Sequence, residues 1–325
     1  MKINVNKTFS FYFYFLTFCS FLVLLLPLWP NYSSLILFKY CLLFAPRWWL
    51  IVLITTLFIG WKFLSKTKKI VLFPLLLISC NYLDINVNIP NPLADKAIGD
   101  INVVTVNLGE GARIYEIEQL LRFYKPDIIL FQEAQNISMK DVFDSSWYYE
   151  CISSLCISSK YPFKREKVLD RELLNGWGAF AAFYRIQTDK KFIYLSNIHF
   201  DTPRRAFKYL INGDLNYDWV EDIENNRIIE AALVSSWSKN KNNTIIAGDF
   251  NMPVDENIYR EYFSSFINVL NERGMGFNYT KLTPIHGLRI DHILVSDDFK
   301  VIDSKVLESL GGDHLPIMTT LVITP

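Results

Sequence analysis

Acidic residues are almost missing from the start of this chain. Asp84 is the only one before Pro92, and residues 8–38 carry no charge of either sign. That run exceeds the roughly 20 apolar residues that cross a bilayer. It also lacks a clear small-x-small cleavage site, which argues against a removed secretory signal even though Lys2 and Lys7 precede it. Acids inside apolar segments are lacking and the spans are few, which sets aside a transport element. Cysteine is scarce, with five in all. Cys19, Cys41 and Cys80 lie in the apolar region and read as small hydrophobes. Cys151 and Cys156 are the two others, and either close a small disulfide loop in an oxidising compartment or are two buried thiols. Positive charge is short in the remainder. Nine of the 33 basic residues and two of the 33 acidic ones fall at or before Ala97, leaving 24 against 31 beyond it, a net of −7. This balance counts against tight non-specific binding to a nucleic-acid backbone. Internal repeats and low-complexity tracts are absent as well.

What is present divides the chain in three. Residues 1–83 read as a membrane region with two or three transmembrane helices, 84–99 as a tether that Pro90 and Pro92 keep from being helical, and 100–325 as a globular domain. A second span is expected over residues 48–61, beginning as early as Tyr40, with Arg47 at the interface and Trp48, Trp49 and Trp61 as anchors. Lys62, Lys66, Lys68 and Lys69 then mark a cytoplasmic loop, on the same side as Lys2 and Lys7. Residues 70–83 offer only 14 uncharged positions. If they cross, the globular domain lies outside the cytoplasm, and otherwise it lies inside; the expectation is that they cross.

The domain is organised around residues 244–253, a β-branched and small apolar run ending in Gly248-Asp249-Phe250-Asn251. A strand of this kind delivers a carboxylate and a carboxamide to one side of a sheet's rim. Other predicted strands end in the same manner. Residues 101–107 finish in Asn107, 128–133 in Glu133, and 192–198 run into His199. Asp291 and His292 sit within an apolar strand, and Asp313-His314-Leu315-Pro316 follows two glycines. Helices are expected over 113–124 and 219–237. Singly, each polar group has an ordinary explanation as a turn former, ion pair or satisfied core residue. Together they supply nearly everything a metal-assisted phosphoester hydrolase requires: oxygen donors for a hard cation, a water-activating group and cationic help at the phosphoryl oxygens.

In the order Asn107, Gln132-Glu133, Asn197-Ile198-His199, Gly248-Asp249-Phe250-Asn251, Asp291-His292 and Gly312-Asp313-His314-Leu315-Pro316, the chain resembles the endonuclease/exonuclease/phosphatase superfamily, the deoxyribonuclease-like metal-dependent phosphoesterases. The resemblance implies a four-layered αββα sandwich of two mixed β-sheets flanked by helices, here preceded by N-terminal transmembrane helices as in membrane-anchored bacterial members. It implies Mg2+, with Mn2+ as a substitute, held by Glu133 with Asn107 and Asp313. It further implies that Asp249 and Asn251 position or activate the water, that His199 and His314 flank the phosphate, and that Asp291 orients His314. Gly109 stands where some members carry an acid, which leaves one-metal chemistry better supported than two-metal chemistry; Gly312 stands where Ser or Thr is usual, at the cost of at most a hydroxyl hydrogen bond.

The expected activity is therefore hydrolysis of a phosphodiester or phosphomonoester, nuclease-like, with Arg204, Arg205 and Lys208 beyond His199 available to grip phosphates. The alternatives are a lipid phosphodiesterase or phosphatase, sphingomyelinase-like or phosphoinositide phosphatase-like, and a non-catalytic binding protein on the same fold. The expected partners are a nucleic acid or phospholipid headgroup and the bilayer itself. The expected location is a bacterial inner membrane with the catalytic domain on the non-cytoplasmic side.

Overall fold

The computed structural model describes residues 5–29, 33–88, 101–109, 111, 113–189, 191–213 and 217–324. Four helices open the chain: α1 (Val5–Leu25), α2 (Ser33–Phe44), α3 (Trp49–Ile59) and α4 (Lys66–Tyr82). Then come β1 (Asn86–Val87), β2 (Ile101–Asn107), α5 (Ile114–Tyr124), β3 (Ile128–Gln132), α6 (Met139–Val142), β4 (Tyr148–Ile152), β5 (Leu155–Ser159) and β6 (Phe163–Asp170). The middle of the domain holds β7 (Ala179–Gln187), β8 (Phe192–His199), α7 (Arg204–Ile211), α8 (Tyr217–Lys239) and β9 (Thr244–Asp249). The last part holds α9 (Asn257–Phe263), β10 (Ile267–Asn268), α10 (Val269–Arg273), β11 (Met275–Gly276), β12 (Lys281–Leu282), β13 (Gly287–Leu288), β14 (Asp291–Val295), β15 (Phe299–Val306) and β16 (Ile317–Ile323).

The described residues form two six-stranded sheets, ordered β10-β14-β9-β8-β7-β6 and β15-β16-β2-β3-β5-β4. Each is mixed, with one parallel pair at its centre: β2 beside β3 in one, β8 beside β9 in the other. Alternation within the strands sorts their side chains into layers. Ile101, Val103, Ile128 and Leu130 face Ile193, Leu195, Ile245 and Ala247 between the sheets. The opposite face of one sheet meets α8 and α9 through Ala231, Val234, Ile258 and Phe263. The opposite face of the other meets α5 and α6 through Ile117, Leu120, Met139 and Phe143. This is the expected four-layered sandwich. Lys164, Arg165 and Lys167 lie exposed along β6, the edge strand of its sheet. Cys151 and Cys156 oppose each other on β4 and β5 and are disulfide-bonded.

The N-terminal helices differ from the expected spans in one respect. Among the described residues, α1 with the turn after it, Val5–Leu28, is the single helix long and apolar enough to cross a membrane. A continuous second span from near Tyr40 does not form. Pro46 lies at the break between α2 and α3, which form a pair bent by 68°. Ser65 caps α4 by accepting the Lys68 N–H, so that helix begins before the lysines and passes through Pro74. Helices α1, α3 and α4 share a core of their own, including Leu16, Val23, Leu50, Leu57, Leu72 and Leu75. The start of α1 meets the far end of the bundle, where Phe9 stacks on Phe63 and Lys68 lies over the Tyr14 ring.

Helix α2 instead docks on the domain. Ile36, Leu37 and Tyr40 pack on Ala206, Val220 and Ile223. Beside them is a fully buried charge cluster. Lys39 Nζ donates to Glu224 Oε1 at 2.6 Å and Tyr40 Oη to Glu224 Oε2 at 2.6 Å. Arg227 reaches Glu224 at 3.3 Å and binds both oxygens of Glu256, at 2.5 and 2.9 Å. Two further ties are Arg47 to Asp255 at 2.9 Å and Arg289 to both oxygens of Asp84 at 2.6 and 2.7 Å. Of the expected tether, Asp84 is thus anchored to the domain and β1 pairs with β11; residues 89–100 lie outside the described residues.

Removing one member of a buried ion cluster costs about 3 kcal/mol, because its partner stays buried and uncompensated. Lys39→Met should therefore lower the melting temperature of the full chain in detergent, and adding Glu224→Gln should recover part of the loss. A single variant melting with the wild type would show that α2 is not held by this pair.

Candidate active site

Four polar side chains of the site continue the core-facing register of their strands. Val103 precedes Asn107 on the inner face of β2, Leu195 precedes His199 on β8, Ala247 precedes Asp249 on β9, and Ile293 follows Asp291 on β14. The inter-sheet core thus gives way to polar groups at one end of the sandwich. Pairing sets them side by side, with Asp249 opposite His199 on one flank and Asp291 on the other. Gly248 has φ +143°, and a Cβ there would overlap the carbonyl of Ile198, so the close approach of β8 and β9 needs glycine. Glu133 breaks the pattern. Ile129 and Phe131 face the helix layer, and strand alternation would send Glu133 the same way. Its left-handed backbone, φ +53°, ends the strand and turns the carboxylate toward Asn107 instead.

Asn107 Nδ2 donates to Glu133 Oε1 at 2.9 Å and to Asp249 Oδ2 at 3.0 Å, while its Oδ1 accepts the Gly109 N–H. Asp249 Oδ1 accepts the backbone N–H of Asn251 at 2.8 Å. Asn251, also left-handed, donates Nδ2 to the Phe200 carbonyl, and its own carbonyl accepts from Arg227 at 2.9 Å. The buried charge cluster that holds α2 therefore also holds this turn. His199 Nε2 lies 3.6 Å from Glu133 and 3.8 Å from Asp249. Arg171 steadies the end of β8 by donating to the His199 carbonyl and pairing with Glu230 at 2.7 Å.

His314 comes from the loop before β16. Its Nδ1 meets both oxygens of Asp291 at 2.9 and 3.0 Å, and its Nε2 lies 3.8 Å from Asp249. Burial opposes charge on this ring, but the carboxylates of Asp291 and Asp249 prevail and push it up to about 9. Burial has the opposite outcome at His199, holding it below the ordinary histidine value against the pull of Asp249. Burial, reinforced by Asp291, raises Asp249. The site thus contains one imidazole that favours the neutral form and one that favours the charged form.

Among the described residues, Asp249, Asp291 and His314 bring three potential ligand atoms within 4.8 Å of one another. Two carboxylates around an imidazolium are better read as an ion triad than as a cation site. The expected metal group is arranged differently. The Glu133 side chain is 37% exposed in the cleft, Asn107 turns its amide nitrogen toward it, and Asp313 stands on the rim paired with Lys281. Outside that triad, Glu133 and Asp313 offer carboxylate oxygens to the cleft, a chemistry suited to a hard divalent cation.

The cleft has a volume of about 420 Å3. The structure brings Glu133, His199, Asp249, Asn251, Asp313 and His314 to its lining and places Arg204 there too, with Asn107 and Asp291 directly behind. Arg205 is turned away: it pairs with Asp201 and lines a separate depression. Two contributors gave no local signal in the sequence: Lys281 approaches Asp313 from across the cleft, and Thr280 accepts the Asp291 N–H at 3.0 Å. Gln132 and Asn197, both within the sequence motifs, join the two sheets by a buried bond of 2.7 Å. Phe44, from α2, also lines the cleft.

This constellation is found within residues 104–314, which match the model of the Endonuclease/Exonuclease/phosphatase family, and the chain belongs to that family of phosphoester hydrolases. No curated protein is significantly similar to it in sequence. Among solved structures it is similar to an endonuclease/exonuclease/phosphatase from Bacteroides vulgatus, at 15% identity and TM-score 0.52, covering 69% of this chain and 98% of that one. It is similar to a mannosyl-6-phosphatase from Bacteroides thetaiotaomicron, at 18% identity and TM-score 0.50, covering 69% and 100%. A 3'-5' exonuclease from Neisseria meningitidis shares 18% identity at TM-score 0.50, covering 68% and 100%. At these identities the likeness is one of fold.

His292, beside Asp291, faces the helix layer and buttresses the catalytic turn. Its Nε2 donates to the Met252 carbonyl at 2.9 Å and its Nδ1 accepts from Asn268 at 3.2 Å, a pattern that fits only the neutral ring. Burial, with Arg289 adding to it, pushes His292 down to about 3. The unfolded chain then binds the proton first, so stability should be lost as pH falls from about 6.5 toward 3. Denaturant titrations across that range should show the loss, and His292→Gln should flatten it.

Proposed function

We propose that the chain is a membrane-anchored, Mg2+-dependent phosphoesterase that hydrolyses a phosphodiester or phosphomonoester by in-line attack of water. The observation that carries this reading is the meeting of Glu133, His199, Asp249 and His314 in one cleft of a family domain. Glu133 is the principal ligand for the cation, with Asn107 and Asp313 assisting, and Mn2+ would substitute. Bound there, the metal would draw charge from the phosphoryl oxygens.

The protein groups do the rest. Asp249, buried and with raised proton affinity, and Asn251 position the attacking water, and the Asp249 carboxylate is set to accept its proton. His199, favouring the neutral form, donates a hydrogen bond from Nε2 to a phosphoryl oxygen. His314, positively charged near neutrality, opposes the negative phosphate, and Asp291 fixes its ring through Nδ1. Arg204 lies on the rim as a further phosphate contact.

Anchoring is supported by the length and apolarity of α1 and by its outward Phe11, Tyr14, Phe18 and Phe21. Lys7 and the lysines of the α3–α4 turn fall at the bundle end far from the catalytic domain, where a positive-inside arrangement would put the cytoplasm. On this reading α1 crosses with its start inside, α3 and α4 accompany it as a shorter packed pair, and the catalytic domain is non-cytoplasmic, on the outer face of a bacterial inner membrane. The Cys151–Cys156 disulfide agrees with an oxidising compartment.

The full chain, purified in detergent, should turn over a generic phosphodiester or phosphomonoester with Mg2+, lose turnover in EDTA and regain it when Mg2+ is restored. His314→Ala should lower kcat by about 10^2–10^4-fold without loss of fold. A folded wild-type chain with no metal-dependent turnover would reject the hydrolase reading in favour of a binding protein.

A further inference from the structure

The cleft has two unlike sides. Its floor is the polar constellation; its wall is apolar, formed by Phe44, Phe207, Leu282, Pro284 and Leu288. Phe44 does not belong to the catalytic domain at all. It ends α2, and its carbonyl accepts a hydrogen bond from His286 Nε2 at 2.9 Å, in the loop between β12 and β13. Four residues later the Trp48 indole donates to the Ile285 carbonyl of the same loop at 3.3 Å, immediately before α3 leaves the domain. Trp48, Leu282 and Ile285 are 48%, 44% and 67% exposed. An apolar lip therefore surrounds the cleft at the level where the apolar helices depart, the position of interfacial aromatic anchors.

We infer that the substrate is a phosphoester of a membrane lipid, entering across this lip with its phosphate between His199 and His314 and its hydrocarbon along the Phe44 wall. The inference rests on the hydrolase reading and assigns that site its substrate class. An apolar chain gains by leaving water along such a wall, whereas a water-soluble phosphate ester gains nothing there. A nucleic acid is poorly served. Apart from its histidines, the basic side chains in the lining are Arg204 and Lys281, and Lys281 is paired with Asp313. In the reaction the oxygen of water bonds to phosphorus and the P–O bond to the leaving alcohol breaks. One proton of the water ends on that alcohol, and the other stays with the phosphate or passes to solvent.

The test uses the full chain reconstituted in phosphatidylcholine vesicles with Mg2+. Vesicles carrying phosphatidate or phosphatidylglycerol are compared with soluble glycerol 3-phosphate, glycerophosphoglycerol, a generic aryl phosphodiester and plasmid DNA. At least one lipid should exceed its soluble counterpart in kcat/KM by about 100-fold. Phe44→Ser should depress lipid turnover about tenfold more than turnover of the aryl diester, and Phe44→Leu should restore most of it. Ile285→Asp, at an exposed tip where folding is not at stake, should raise KM for vesicles with little change in kcat. Equal rates on lipid and soluble esters, a preference for DNA, or equal losses on both substrates in Phe44→Ser would overturn the lipid assignment while leaving a hydrolase. Failure to turn over any phosphoester would instead reject the hydrolase reading beneath it.

Discussion

The buried cluster of Lys39, Glu224, Arg227 and Glu256 is the interaction on which the rest of this structure depends. Two cations and two carboxylates, with the Tyr40 hydroxyl among them, balance one another away from water. Isolated, any one of these charges would be costly in that position. The cluster holds three things together: α2 through Lys39 and Tyr40, α8 through Glu224 and Arg227, and the turn after β9 through Glu256 and the carbonyl of Asn251. The orientation of the N-terminal helices and the backbone of the site are consequently one structural problem.

The site itself is a consequence of strand alternation. Asn107, His199, Asp249 and Asp291 follow the apolar residues of the inner faces, so packing the two sheets brings them together without any special loop. Glu133 is the exception, redirected by a left-handed residue at the end of β3. Unequal pairing then divides the two buried histidines, since His314 has Asp291 bonded to its ring whereas His199 has carboxylates at 3.6 and 3.8 Å. One chain end of a sandwich thereby gathers a neutral donor, a cationic group and several oxygen donors.

Much of this was legible before the fold was known. Apolar alternation identified β2, β3, β8 and β9, and the polar residues at their ends were visible as interruptions of that pattern. Lys39 was not legible as a buried ion-pair partner, because it lies next to a long uncharged run and its partner Glu224 is 185 residues away. Arg205 carried the same local signal as Arg204, yet Asp201 one helical turn earlier captures it. The break between α2 and α3 was obscured because the apolar runs on either side of Pro46 and Arg47 together read as one span.

The sequence alone determined the four-layered family fold, the order of the polar groups along the chain and the apolarity of the first helices. The fold followed from the family resemblance carried by motifs a few residues long, the rest from the local order and composition of the chain. Only the tertiary structure decided that Phe44 lines the cleft, that Arg227 clamps Asn251 and that Arg205 turns away from the site. Those outcomes depend on which distant surfaces meet and on how buried charges find partners, and neither is encoded in the spacing of neighbouring residues.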